Sequence, residues 1–139
     1  MDNQNNAAHS IANIYNPLIE AAKPVFILVN AMQQTTSQLS TDRLINKFSI
    51  LINNFEENAE KKGARYDAIR AAKYCLCTFV DELAVRAGWA DETWSKNSLL
   101  VSFYDETWGG ERFFEIIQNL KQDPDKNIDL LEFMYLCLQ

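Results

Sequence analysis

Residues 64–88 read ARYDAIRAAKYCLCTFVDELAVRAG. Ile69, Ala72, Leu76, Phe79, Val80, Leu83 and Ala87 return every three or four positions, which is the period of one helix face. Gly88 ends the pattern. A helix with so broad an apolar stripe needs neighbours to cover it, and the flanking sequence repeats the same period.

Upstream, Leu44, Ile45, Phe48, Leu51, Ile52, Phe55 and Ala59 form a second stripe. Ser40 or Thr41 can cap its start, and EKKG (60–63) ends it with Gly63 as a left-handed cap. Earlier still, Leu18, Ala21, Ala22, Val25, Phe26, Val29 and Met32 share the spacing. Asn16 can cap this helix and Pro17 suits its first turn. Pro24 clashes with the carbonyl four residues back, so a kink or a restart is expected near Lys23. TTSQLSTD (35–42) reads as a turn.

Downstream, WADETW (89–94) reads as a short turn or a single helical turn. Leu99, Leu100, Phe103 and Tyr104 predict a further helix, Phe113 to Leu120 another, and Leu130 to Leu138 a last one that starts at Asn127 or Asp129. No segment alternates polar and apolar long enough for a strand. The class is all-α, with connections short enough for antiparallel neighbours.

The whole chain supports one domain. It has 139 residues and is 47% hydrophobic, which suits a globular protein. Its net charge is −6. The basic residues are dispersed among acids, which disfavours nucleic acid and anionic lipid as direct partners. The three cysteines, Cys75, Cys77 and Cys137, make no disulfide framework and favour a reducing compartment. Residues 1–16, rich in Asn, read as a flexible tail without signal-peptide character. The longest apolar run, Val25–Val29, is far short of a membrane span.

Little in the chain points to catalysis. The single histidine, His9, lies in the tail, which removes Ser-His and Cys-His pairs and histidine metal sites. Cys75 and Cys77 diverge by about 200° on a helix and read as small core residues. Neither a metal nor a cofactor is expected. Asp81-Glu82 interrupts an apolar helix face. The pair reads either as an edge carboxylate or internal hydrogen bond to a helix end, or as the acidic part of a cleft that a partner contacts. A hydrolase would need a second carboxylate across a pocket, drawn from Asp91, Glu92, Asp105, Glu106 or Glu111. Nothing in their spacing places one there.

FYDETWGGERFF (103–114) could be a phosphate loop, a carboxylate site or a corner. Acids surround the glycines, which opposes an anion, and calcium-loop spacing is missing. The corner reading fits: Gly109 ends one helix in the left-handed conformation, Gly110 begins the next, and Trp108 seals the turn against Phe113 or Phe114. Trp89 and Trp94 also read as corner packing, with a partner surface as the alternative.

In order and spacing, AAKYCLCTFVDE (71–82), Trp94, LLVSFYDETWGGERFF (99–114), Pro124 and IDLLEFMYLCL (128–138) resemble the DotU/TssL family, also called IcmH. These are inner-membrane components of bacterial type VI secretion and of the related Dot/Icm type IVB system. The resemblance spans residues 17–139 and implies about six to seven helices, arranged as two small packed bundles with a cleft between them. It implies a non-enzymatic scaffold on the cytoplasmic face of the inner membrane. Such a scaffold binds an IcmF/TssM-like protein, docks baseplate components in a type VI system and self-associates weakly. A soluble adaptor without a membrane role is the alternative.

The family continues into a Leu-Gly-Phe-x-Gly-x-Tyr segment and a transmembrane anchor where this chain reaches Gln139, so a soluble fragment is expected. Carried over residue by residue, Asp81 and Glu82 match the acidic pair near the cleft. Glu106, Thr107, Trp108, Gly109 and Gly110 match a structural corner at its rim.

Overall fold

The computed structural model describes residues 15–34, 40–106 and 110–138, the side chain of Glu111 excepted. The tail over 1–14, the turn at 35–39 and corner residues Thr107, Trp108 and Gly109 lie outside the described residues. The helices are α1 (Pro17–Gln34), α2 (Thr41–Lys61), α3 (Tyr66–Ala87), α4 (Glu92–Asn97), α5 (Leu99–Tyr104), α6 (Gly110–Leu120) and α7 (Ile128–Leu138). The all-helical class agrees with expectation, and the seven helices among the described residues fall within the expected six to seven.

Local chemistry sets most helix ends. The Asn16 side-chain oxygen accepts from Leu18 N–H at 3.0 Å, capping α1. Ser40 caps α2 through Arg43 N–H. Gly63 and Gly88 take left-handed conformations, φ 90° and 82°, after α2 and α3. α1 does not restart at Pro24 but runs through it. Pro24 lies on the exposed face, where water can satisfy the Glu20 carbonyl that loses its helical donor. The helix before the corner ends at Asp105, a non-glycine residue at φ 56°, while Gly109, expected to end it, lies outside the described residues. A short polar side chain tolerates that conformation.

α3 is the hub. It packs against α1, α2, α5, α6 and α7. Tyr74, Cys75, Cys77 and Thr78 are therefore buried in addition to the predicted stripe, while Ala87 is exposed. A helix surrounded by five others has little solvent face left, so one stripe cannot describe it.

α1, α2, α3 and α7 form one helical group, and α4 and α5 pack on α2 and α3 to form a smaller one. The buried apolar residues of both join in a single cluster. Phe55 of α2 stacks with Phe133 of α7 at 5.9 Å. Phe48 meets Trp94 of α4 edge-on at 6.3 Å. Phe48, Phe55 and Phe133 are fully buried, and each such ring contributes roughly 1.5–3 kcal/mol by removal from water. Among the described residues, no helix is long and apolar enough to cross a membrane.

Candidate functional site

The structure separates the acidic pair. Adjacent helical residues diverge by about 100°, so α3 turns Asp81 inward and Glu82 outward. Asp81 is 9% exposed. Its Oδ1 accepts from Leu99 N–H at 3.0 Å and from the Trp94 indole N–H at 3.1 Å, and its Oδ2 accepts from Leu100 N–H at 2.9 Å.

Leu99 and Leu100 open α5, so Asp81 caps that helix from another element. Ser98 Oγ takes the next N–H, that of Val101, at 3.1 Å. The first turn of α5 is thus fully paired. Burial pushes the Asp81 carboxyl up, against the three N–H donors that favour its anion, and the neighbouring Glu82 adds to the rise. Both oxygens are engaged inside the fold, the internal alternative in the sequence reading.

Glu82 faces a groove of about 560 Å³. The groove runs along α3, with α6 on one side and the end of α7 on the other. Its lining is mainly apolar, including Phe79, Phe113, Ile117 and Cys137, and Glu82, Arg86 and Lys121 carry its charge. Phe114, Tyr135 and Leu138 line it as well, at 61%, 49% and 59% exposure. Apolar side chains this exposed around one depression are a feature of protein-docking surfaces.

The corner holds a second cluster. Glu106 Oε2 accepts from the Tyr74 hydroxyl at 2.6 Å, and Oε1 accepts from Arg112 at 2.6 Å. The Arg112 guanidinium also lies over the Tyr74 ring, 4.6 Å from its centre. The Tyr74 hydrogen bond, and then Arg112, hold the Glu106 carboxyl below the usual glutamate range. Burial, followed by the Glu106 hydrogen bond, pushes the Tyr74 hydroxyl up. Glu106 thus joins the corner to α3 and α6. The sequence offered no signal for Tyr74 or Arg112 in this role.

The other acids are dispersed. Asp91 caps α4 through Trp94 N–H at 3.0 Å and accepts from Thr41 at 2.8 Å, which hold its carboxyl low. Asp105 ends α5. Asp81, Asp91 and Glu106 each answer to different partners, and Glu82 lines the groove. Among the described residues, no three His, Cys, Asp or Glu side chains could hold a metal ion together. Burial pushes the thiols of Cys75 and Cys77 up, and that of Cys137 to about 12. Buried thiols of this kind are poor nucleophiles.

No curated protein matches the chain. Solved structures do, among them two TssL proteins. TssL from Vibrio cholerae superposes with a TM-score of 0.76 at 32% identity, covering 89% of this chain and 78% of that one. The cytoplasmic domain of TssL from Acinetobacter baumannii gives a TM-score of 0.79 at 27% identity, covering 89% and 80%. The family of type VI secretion system protein DotU matches residues 17–139. With the fold and nearly the whole length in agreement, the chain belongs to the DotU family of type VI secretion proteins.

Proposed function

We propose that this chain is a non-catalytic platform of a type VI secretion system, held at the cytoplasmic face of the bacterial inner membrane. It binds an IcmF/TssM-like membrane protein and docks baseplate components. The family match over residues 17–139 carries this reading. The dispersal of the carboxylates and the exposed apolar lining of the groove support it.

Of the two acids matched to the family's cleft, Glu82 is the one placed to meet a partner. Asp81 contributes indirectly, by fixing α4 and α5 against α3. Charge reversal at Glu82 should weaken capture of an IcmF-like or baseplate partner in a pull-down and leave the circular dichroism spectrum unchanged. Undiminished capture of all such partners would remove the groove from the docking role.

A further inference from the structure

α6 is the least secured wall of the groove. At eleven residues it is shorter than a helix that holds itself together in water. Among the described residues it packs on α3 and α7, and the buried side chains described on it are Phe113 and Ile117. The groove separates much of its length from α7.

Its two ends are held differently. The far end runs into a hydrogen-bonded turn, where Asn127 N–H reaches the Asp123 carbonyl at 3.3 Å and Arg65 reaches Asn127 Oδ1 at 3.2 Å. The near end is tied by Arg112, which meets Glu106 and the Tyr74 ring. One carboxylate therefore bridges the hub helix and the groove wall. Its two bonds are charge-assisted and short. Tyr74 is 2% exposed while Glu106 and Arg112 cover it, so in this arrangement its hydroxyl is paired by Glu106 and not by water. The closed arrangement is thus favoured, yet it rests on a half-exposed ion pair that a competing charge can reach.

We propose that the Tyr74–Glu106–Arg112 cluster is a clasp that sets the position of α6. Its release shifts the near end of α6, with Phe113 at the edge of the core moving with it, and changes the width of the α3–α6–α7 groove while α3 keeps its packing. This names a regulation of the docking groove and rests on that reading for its purpose; the clasp itself is a property of the free protein. A partner carrying a carboxylate near Arg112, or a cation near Glu106, would release it and widen the groove as it binds.

Hydrogen exchange read by mass spectrometry tests the clasp without any partner. Two variants are needed: Glu106→Gln removes the charge from the bridge, and Arg112→Met keeps an aliphatic arm over Tyr74 but removes the guanidinium. In both, amides of residues 114–120 should exchange about tenfold faster than in wild type, while those of 74–80 in α3 keep their protection. Unchanged α6 exchange in both variants overturns the proposal. So does equal loss in α6 and α3, which would mean that the cluster holds the core and not the wall. Loss of partner capture in a Glu82 variant with normal exchange bears on docking alone, so the two readings fail separately.

Discussion

The indole of Trp94 donates to Oδ1 of Asp81 at 3.1 Å, joining α4 to the hub helix at the point where Asp81 also caps α5. Asp81 thereby serves three donors on two short helices. Six-residue helices have almost no stability of their own, so this carboxylate organises the smaller helical group.

Replacing Asp81 with Ala should therefore cost about 2–3 kcal/mol, since it strands buried N–H groups and removes a helix cap. Asn at this position should recover only part of the loss. Its oxygen replaces one acceptor, but its amide group brings a donor toward another donor. Urea unfolding checks both. Equal stability of all three proteins would mean that the cap is dispensable.

Asn16 joins the first described helix to the last. Its oxygen caps α1, and its Nδ2 donates to the Asp129 carbonyl at 2.7 Å. It is 1% exposed. Asn16→Ala should lower stability by about 1–2 kcal/mol through the lost cap and the stranded carbonyl. Asn16→Asp keeps the cap but turns an acceptor toward the Asp129 carbonyl and the Glu132 carboxylate, so near neutral pH it should recover none of the loss in thermal denaturation.

Gly63 and Gly88 have open space where a Cβ would stand. Alanine at either site meets no clash, only the left-handed backbone. Each substitution should cost about 1–2 kcal/mol, and the two should add because the sites are independent. A near-zero effect in a melting series would show that the helix end shifts to relieve the strain.

Glu106 gives the clasp a pH signature. Its folded carboxyl is held below the ordinary value, first by Tyr74 and then by Arg112. The stabilisation is therefore complete above the unfolded pKa and is lost as pH falls through the folded one. The gap in melting temperature between wild type and Glu106→Gln should be widest near neutrality and shrink below about pH 4. Asp81 has the opposite sign. Burial raises its folded pKa, so its contribution is complete below the unfolded value and declines as pH rises through the folded one. A Glu106 gap that persists undiminished at pH 3 would show that the ionised bridge is not its source.

Much of the fold was legible in the chain itself. Helical period, the Asn16 and Ser40 caps and the glycine ends at 63 and 88 depend on contacts within about four residues, which sequence spacing records directly. The family resemblance rested on the order of such segments. Legibility stopped where local rules met solvent or crowding. Pro24 did not break α1, because its face is exposed. The α3 stripe was too narrow, because five helices enclose it. Asp105, not a glycine, ended α5.

The site was less legible still. Asp81 and Glu82 are neighbours of the same charge, and periodicity alone could not say which points inward. That was decided by where α4 and α5 pack, thirteen to nineteen positions further along. The groove exists only because α3, α6 and the end of α7 meet, and the clasp brings together Tyr74, Glu106 and Arg112 from three separate segments. The sequence by itself determined the helices, most of their ends and the family. Tertiary packing decided which carboxylate is structural, which faces a groove and what holds the groove wall, because burial and hydrogen bonding between helices depend on distances that spacing along the chain does not encode.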